Sequence, residues 1–260
     1  GEMYLKKAGS TDAGSIVVYD SGVWKTFANE GGGGAFTNQY SVAFDGTNDY
    51  METGVPIVTG TSPISLSGWV YLTSAPSSFD QALAIRGSTA GRTARMLGFV
   101  SGRLHFNTFA SELRGTTSVS VNTWHHIAAT STSSGAARVY LNGVLEASGS
   151  VGYNSVASGN TFVIARGGVG EFLPAKIDEA AVWGSVLSDG GVSVGQTAGG
   201  DIATLYNSGV PEDISSLSPL GWWRMGDNDG GTGTTITDQG SGGNDGTLTN
   251  GPTFSTDVPS

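Results

Sequence analysis

Five separated segments of this chain alternate apolar and polar side chains, a pattern that constrains the fold more than any other feature. They are SVAFDGTNDYMETG (41–54), ISLSGWVYL (64–72), NTWHHIAAT (122–130), RVYLNGVLEASG (138–149) and AKIDEAAVW (175–183). Such alternation is typical of half-buried antiparallel strands with one face on a core. Asn142-Gly143 stands between apolar residues, and this pair favours the type I′ hairpin turn. The chain is therefore predicted to consist mainly of β-strands.

Composition agrees with short strands joined by many turns. Glycine accounts for 42 of 260 residues, hydrophobic residues for 38% and charged residues for only 13%. A Gly-X-Y period is absent, which excludes collagen, and the apolar content with six Trp argues against disorder. One short helix is predicted near 201–208, with Asp201 as its N-cap and Gly209 after its end.

Charge and hydropathy exclude several classes of function. The net charge of −10 disfavours contact with nucleic acid, whose phosphates require Lys and Arg. Because no apolar run reaches roughly 18 residues, no membrane insertion is predicted. Cysteine is absent, which excludes disulfides and thiolate metal sites. The first residues, GEMYLKK, do not have the pattern of a signal peptide.

Six short phrases follow one another in a coherent arrangement along residues 40–255. They are Phe44-Asp45-Gly46 with Asp49-Tyr50, Trp124 with His126-Ile127-Ala128, Tyr140-Leu141-Asn142-Gly143, Ile177-Asp178-Glu179, Leu205-Tyr206-Asn207 with Gly209, and the run from Trp223 to Leu248. Together they resemble the laminin-G-like, concanavalin-A-like jelly roll. The resemblance implies an all-β fold, a two-sheet antiparallel jelly-roll sandwich. Such a scaffold holds glycans more often than it cleaves bonds.

The resemblance and the composition divide the chain into two predicted domains. Residues 1–34 are expected to form a small N-terminal β-hairpin appendage, with strands in 15–27 and a Gly-rich linker at its end. Residues 35–260 are expected to form the jelly-roll domain. The phrase from Trp223 to Leu248 commonly precedes the FDG strand in this family, but here it comes last. Since the ends of a domain usually lie close together, we expect 220–254 to pack beside 40–50 and close the sandwich.

Asp178 is the strongest candidate for a metal ligand. It shares a strand face with Ala180 and Val182, so its carboxylate should be partly buried and should need a pairing group. In related folds the Asp of this strand holds a structural calcium ion, whereas the alternative is a carboxylate that accepts backbone N–H bonds. The resemblance thus implies possible calcium binding. The loop residues that would complete the site are Asp45, Asn48, Asp49, Asp238 and Asn244.

Three patterns that suggest catalysis are interpreted as structural. His125 and His126 are adjacent on a strand, point to opposite faces and cannot chelate one ion together. The run 191–195 fits G-x-S-x-G but lies in a Gly-rich stretch of a β chain, not at a strand–turn–helix elbow. Glycosidases need two carboxylates about 5–10 Å apart. Asp178 and Glu179 are predicted to point to opposite faces, so enzyme activity is not expected.

Aromatic residues on exposed faces or loops are the candidates for carbohydrate contact, because sugar rings stack on them. These candidates are Trp69, Tyr71, Phe79, Tyr153 and Phe172. Packing in the core is the alternative for each of them.

The sequence predicts a non-catalytic binding or structural module. We expect a carbohydrate-binding or adhesive domain of a virion (tail, fibre or decoration) or of an extracellular protein, since the 15–27 hairpin resembles elements of tailed-phage structural proteins. The expected partners are a glycan or cell-surface polysaccharide, other virion or surface proteins, and further copies of the chain in a homo-oligomer. Two alternatives remain open: a glycan-cleaving enzyme on the same fold, either hydrolase or lyase, and a purely structural virion assembly module.

Overall fold

The computed structural model describes residues 16–20, 23–27, 36–76, 80–86, 94–108, 111–152, 155–168 and 170–260. The chain divides into two compact units, Gly1–Thr37 and Asn38–Ser260. In the first unit, β1 (Ile16–Asp20) pairs with the antiparallel β2 (Val23–Phe27). One short helix, α1 (Gly200–Tyr206), lies in the second unit and is followed by 3-10 turns at Asn207–Gly209 and Ser215–Leu217. Nowhere in the described ranges does a helix have the length and hydropathy needed to cross a bilayer.

The second unit is a sandwich of two antiparallel sheets, which confirms the predicted fold class. In sheet 1 the strand order is β12-β11-β10-β5-β14-β3-β18, with β15 also paired to β14. Its strands are β3 (Ser41–Asp45), β5 (Ile64–Leu72), β10 (Trp124–Ser131), β11 (Ala136–Leu141), β12 (Val144–Ser150), β14 (Pro174–Trp183), β15 (Gly221–Trp223) and β18 (Thr253–Ser255).

Sheet 2 forms the other layer, in the order β16-β17-β4-β13-β6-β7-β8-β9. Its strands are β4 (Tyr50–Glu52), β6 (Asp80–Arg86), β7 (Arg95–Val100), β8 (Arg103–Asn107), β9 (Glu112–Ser118), β13 (Thr161–Ile164), β16 (Thr235–Ile236) and β17 (Gly246–Thr249). The core lies between the two sheets, and there the Phe162 and Trp223 rings stack with centroids 4.9 Å apart.

The C-terminal segment contributes strands to both sheets. β18 pairs with β3, with Phe254 opposite Val42, while β17 pairs with β4, with Leu248 opposite Met51. Residues 220–254 therefore lie beside the strands at 40–52. This arrangement places the last phrase of the sequence next to the first phrase in space.

The outer face of sheet 1, opposite the core, is covered by residues 184–219. Ser65 and Trp183 on this face donate hydrogen bonds to the backbone carbonyls of Ser185 and Leu217, at 2.7 Å and 3.0 Å. Both faces of β5 are consequently buried, although its alternating sequence predicted one polar face. The end of α1 lies at the edge of this cover, and the candidate site opens at that edge.

A bulge interrupts β14 beside β5. Asp178 pairs with Trp69 but Ala181 pairs with Ser67, so two residues of β14 face Gly68 alone. Glu179 takes a positive φ of 46° in this bulge, a conformation that is costly for a residue with a side chain. Its carboxylate consequently faces the outer side of sheet 1, as Asp178 does. The prediction that Asp178 and Glu179 point to opposite faces was wrong, because regular alternation does not hold across a bulge.

The helix cap also differs from its prediction. The N-cap is Gly199, and Asp201 lies within the first turn, where its Oδ2 accepts the Ser188 backbone N–H at 2.8 Å. Asp201 therefore fixes the loop that leads to α1. At the other end, Asn207 takes the left-handed conformation and closes the helix two residues before Gly209.

Candidate functional site

A cavity of about 300 Å³ opens on the outer face of sheet 1, at the edge of the 184–219 cover. Its wall is assembled from β5, β10, the β11–β12 turn, the end of α1 and the last residue of the chain. The lining residues are Trp69, Thr123, Trp124, Asn142, Tyr206, Gly209 and Ser260. This volume is at the lower end of the range for small-molecule sites, about 300–1,000 Å³. We call this space the aromatic cavity.

Two pairs of aromatic rings form the aromatic cavity and its border. Trp69 stacks with Tyr206, with ring centroids 6.1 Å apart and ring planes at 27°. Trp124 meets Tyr71 edge to face at 5.7 Å. Trp69 is only 4% exposed, whereas Trp124 and Tyr206 are half-buried. The accessible aromatic surface is therefore supplied mainly by Trp124 and Tyr206.

Trp124 is fixed in place by a charged pair. Its Nε1 donates a hydrogen bond to Asp257 Oδ1 at 3.1 Å, and Asp257 Oδ2 accepts one from Lys176 Nζ at 2.5 Å. The Lys176 ammonium lies 4.6 Å from the centroid of the Tyr71 ring, within range of a cation–π interaction. The hydrogen bond from Lys176 holds the pKa of Asp257 below its ordinary value. These contacts reduce the conformations open to the indole.

The β11–β12 turn positions the polar side of the aromatic cavity. Asn142 and Gly143 have φ values of 49° and 74°, as the predicted type I′ turn requires. The Asn142 Oδ1 accepts the backbone N–H of His126 at 2.9 Å, while its Nδ2 lies 3.4 Å from His125 Nδ1. The carboxamide is thereby held at the rim, where it offers both a donor and an acceptor to a ligand.

His126 lies beneath the aromatic cavity and is a structural residue. It is 1% exposed, and its Nε2 is 2.8 Å from Ser67 Oγ. Burial lowers the pKa of His126 to about 3, so the ring stays neutral under ordinary conditions. The Ser67–His126 pair resembles part of a catalytic triad, but both residues are buried and His126 Nδ1 has no partner in the described chain.

Glu179 and Glu212 line a second, much smaller space of about 10 Å³ beside His126. This volume is that of about one water molecule and cannot admit a sugar ring. Glu179 Oε2 accepts a hydrogen bond from Trp222 Nε1 at 2.6 Å, and Oε1 accepts one from Arg224 Nε at 3.0 Å. Burial raises the pKa of Glu179 to about 7, although Arg224 opposes the shift. Both oxygens of Glu179 are therefore already engaged within the fold.

Asp178 is fully buried, and its two carboxyl oxygens differ. Oδ1 accepts the backbone N–H of Glu179 at 2.8 Å, whereas Oδ2 has no hydrogen-bond partner in the described part of the chain. The Asn38 Oδ1 is likewise buried and unpartnered there. Burial, followed by repulsion from Glu179, raises the pKa of Asp178 well above its ordinary value, and the nearby Asn38 carboxamide opposes this shift. A proton, an amide N–H or a cation would satisfy Oδ2.

The structure does not bring the six predicted metal ligands together. Asp45 pairs with Pro174 on β14, four positions from Asp178, a separation of about 13 Å along the strand. Asp238 is used by the backbone: its Oδ1 accepts the Trp222 and Gly240 N–H groups at 2.8 and 2.7 Å, and its Oδ2 accepts that of Asn244 at 2.8 Å.

Two further candidates lie in the loop that follows Asp45. Asn48 is exposed, and Asp49 Oδ2 accepts the Asp45 N–H at 3.2 Å. Among the described residues, no three or more His, Asp or Glu side chains form a group that could hold a metal. The residues do not fit a calcium site built from all six. Among the described residues, Asp178 Oδ2 and the unpredicted Asn38 Oδ1 are buried oxygens without a hydrogen-bond partner.

The predicted aromatic residues are placed differently from one another. Trp69 lines the aromatic cavity, Tyr71 packs at its border, and Phe172 lies beside sheet 2. Phe79 and Tyr153 lie outside the described residues. Sequence reasoning missed the other lining residues, since Trp124, Asn142 and Tyr206 were assigned to family phrases and not to a site. Their presence in three of those phrases was the signal that could have identified them.

The chain is similar to one protein family and to several solved structures. The model of the concanavalin A-like lectin/glucanases superfamily matches residues 45–193. A candidate carbohydrate binding protein from Bacteroides ovatus is 20% identical, with a TM-score of 0.59, over 94% of this chain and 69% of that one. The heptameric SAP-like pentraxin of Limulus polyphemus is 14% identical, with a TM-score of 0.49, over 65% and 82%. No curated protein matches. Identities this low establish the fold alone.

Proposed function

The chain belongs to the concanavalin A-like lectin/glucanases superfamily, and from this premise we propose that it is a non-catalytic carbohydrate-binding module whose site is the aromatic cavity. One observation carries the proposal: the accessible rings of Trp124 and Tyr206 border the same 300 Å³ space as the uncharged polar side chains of Thr123 and Asn142. A concave site with aromatic walls and few polar groups is the usual form of a small-ligand pocket.

The chemistry of this wall suits a sugar. The apolar face of a pyranose packs on an indole or phenol ring, and its hydroxyl groups exchange hydrogen bonds with a carboxamide and a hydroxyl. Asp257 already pairs with Trp124 and Lys176, so its carboxylate does not present an uncompensated charge to the ligand. The site should therefore prefer a neutral sugar, bound as the end of an oligosaccharide chain.

The arrangement of the acids supports binding without cleavage. A glycosidase places two carboxylates on either side of the scissile bond, about 5–10 Å apart. Glu179 and Glu212 share a space of about 10 Å³, which excludes a sugar, and Asp178 is fully buried. Among the described residues, no Asp or Glu side chain lines the aromatic cavity.

A glycan array, read with and without calcium, tests the proposed function. We expect binding to a defined set of neutral glycans, and we expect Trp124→Ala to weaken it by at least tenfold. Val194→Ala is the control, because Val194 is 51% exposed and is not among the residues that line the aromatic cavity. Absence of binding to any glycan would overturn the proposal and favour a purely structural role. Release of reducing ends from a polysaccharide would instead favour the glycan-cleaving alternative.

The surroundings of the module stay predictions. Location on a virion or another extracellular surface, with surface proteins as partners, rests on the resemblance of residues 15–27 to phage elements. Homo-oligomerisation rests on the same argument. Sedimentation of the full chain at several concentrations measures the oligomeric state directly, and a concentration-independent monomer would remove that part of the prediction.

A further inference from the structure

A second cluster of charged and aromatic side chains lies at sheet 2, away from the aromatic cavity. Arg86 is the last residue of β6 and pairs with Thr161 of the neighbouring β13. Arg166 follows β13 and forms a backbone bridge with Phe172. Tyr50, at the start of β4, contributes the remaining ring. We call Arg86 and Arg166 the arginine pair.

The guanidinium of Arg166 lies against two neighbouring aromatic rings. Its central carbon lies 4.4 Å from the centroid of Tyr50 and 5.8 Å from that of Phe172. The two rings are themselves 6.3 Å apart and tilted by 37°. Cation–π contacts of this kind restrict a long side chain. Arg166 is therefore positioned by aromatic rings, and no carboxylate among the described residues forms an ion pair with it.

The arginine pair concentrates positive charge that no anion in the described chain neutralises at contact distance. Repulsion from Arg166 adds to burial in lowering the pKa of Arg86. Arg86 Nη1 and Arg166 Nε are both buried, and neither has a hydrogen-bond partner among the described residues. Both side chains are nevertheless only partly buried, so a ligand can approach them from solvent.

Two acids lie nearby but are used elsewhere. Glu52 and Glu171 act on Arg86 only through space, where they oppose the lowering of its pKa. The Glu171 Oε2 accepts the backbone N–H of Gly168 at 2.5 Å. The Glu52 Oε2 is within 3.5 Å of the Thr161 hydroxyl. The arginine pair thus keeps unused N–H donors, although Glu52 and Glu171 lie nearby, because these two carboxylates accept hydrogen bonds from other groups.

We propose that the arginine pair binds the carboxylate of an acidic sugar, a uronic acid residue. Guanidinium groups present planar sets of N–H donors that match a carboxylate, and an anion between two guanidiniums relieves their repulsion. The rings of Tyr50 and Phe172 supply apolar surface for the sugar ring beside it. The net charge of −10 opposes long, densely charged polyanions, which favours one carboxylate over a sulfated chain.

This inference rests on the proposed function, because it takes the ligand to be a saccharide. It adds a second site and a charged class of sugar that the aromatic cavity does not select. The two sites use different residues on different sheets, so single substitutions separate them.

Calorimetric titration of the full chain with trigalacturonic acid tests the inference. We expect Arg86→Gln and Arg166→Gln each to weaken binding at least tenfold. Arg103→Gln, which removes the same charge from an exposed residue, is expected to change it less than twofold. Arg166→Lys guards against misfolding: it keeps the charge but loses the planar donors, so we expect several-fold weaker binding with an unchanged circular dichroism spectrum.

The outcomes separate the two proposals. Binding of neutral glycans without binding of trigalacturonic acid overturns the arginine-pair inference and leaves the proposed function standing. Trp124→Ala should leave trigalacturonic acid binding intact, and a joint loss would place the acid in the aromatic cavity. A sulfated disaccharide that binds more tightly than trigalacturonic acid would overturn the choice of a carboxylate. Equal losses of affinity in Arg86→Gln and Arg103→Gln would overturn the inference, because they would show that only the net charge of the protein affects binding.

Discussion

Gly143 and Tyr206 are packed so closely that a β-carbon on Gly143 would stand 2.6 Å from Tyr206 Cδ1. Gly143 is the second residue of the type I′ turn between β11 and β12, and Tyr206 ends α1. The absence of a side chain in the turn therefore lets the helix place its aromatic ring against Trp69. Gly143 therefore supplies both the positive φ that the hairpin turn requires and the space that Tyr206 occupies at the aromatic cavity.

Gly143→Ala should displace Tyr206 and weaken glycan binding. The positive φ of 74° adds about 1 kcal/mol of backbone strain for a residue with a β-carbon, in addition to the steric overlap. Gly102→Ala is a matched control, since Gly102 has a φ of 71° in the β7–β8 turn and no atom within 4 Å of its virtual β-carbon. Chemical denaturation and glycan titration of both variants check this. Equal losses of stability and of glycan affinity in the two variants would show that the contact between Gly143 and Tyr206 contributes nothing.

Trp223→Ala should destabilise the whole sandwich. The ring is fully buried and stacks on Phe162 at 4.9 Å, so its loss leaves a cavity between the sheets. Truncation of a buried Trp costs about 3–5 kcal/mol in the free energy of unfolding. Val210→Ala, at a residue 48% exposed, should change it by less than about 0.5 kcal/mol. If Trp223→Ala lowers the free energy of unfolding as little as Val210→Ala does, the C-terminal segment is not part of the cooperative core.

His126→Gln should flatten the dependence of stability on pH in weak acid. Burial lowers the pKa of His126 to about 3, below its ordinary 6.5, so the unfolded chain takes up a proton that the folded chain refuses. Stability from this residue is therefore complete above about pH 6.5 and is lost as the pH falls toward 3. Each pH unit in that window costs up to about 1.4 kcal/mol. Urea unfolding at pH 4 to 7 measures how the free energy of unfolding changes with pH. Parallel slopes for the unchanged protein and His126→Gln would refute the lowered pKa of His126.

Calcium stays a prediction that now concerns Asp178 and Asn38 alone. Their unpartnered oxygens, Oδ2 and Oδ1, are oxygen donors of the kind that calcium prefers. We expect calcium, added after chelation, to raise the melting temperature, and Asp178→Asn to remove that rise. Asp238→Asn is the comparison, since the backbone already satisfies Asp238. Identical melting curves in calcium and chelator would show that a proton or an amide N–H satisfies Asp178 instead.

Features set by local pattern could be predicted from the sequence. Alternation identified β5 and β14, and Asn142-Gly143 identified the turn between β11 and β12, because strand period and turn conformation depend on neighbouring residues. The bulge at Glu179 could not be predicted, since the extra residue is defined only by the register against Gly68.

The candidate site was harder to predict for a related reason. Trp69 was a correct choice of lining residue, but the cover that closes over β5 comes from residues 184–219, which follow it much later in the chain. Tyr206 and Asn142 become neighbours only after α1 packs on the hairpin, and neither of their two phrases indicates this contact by itself. Asp178 was expected to be partly buried and is fully buried, because residues far away in the sequence, among them Asn38, lie against it on the outer side of sheet 1.

The cover over sheet 1 separates the part of the protein that makes it stable from the part that shapes the aromatic cavity. The ladder hydrogen bonds lie in the strands, while Tyr206 and Gly209 belong to a connection that crosses above them. Exchanging residues 207–212 would reshape one wall of the aromatic cavity and leave every strand pairing unchanged. The sandwich could thus serve as a host on which new sugar specificities are grafted, much as antibody domains carry exchangeable loops.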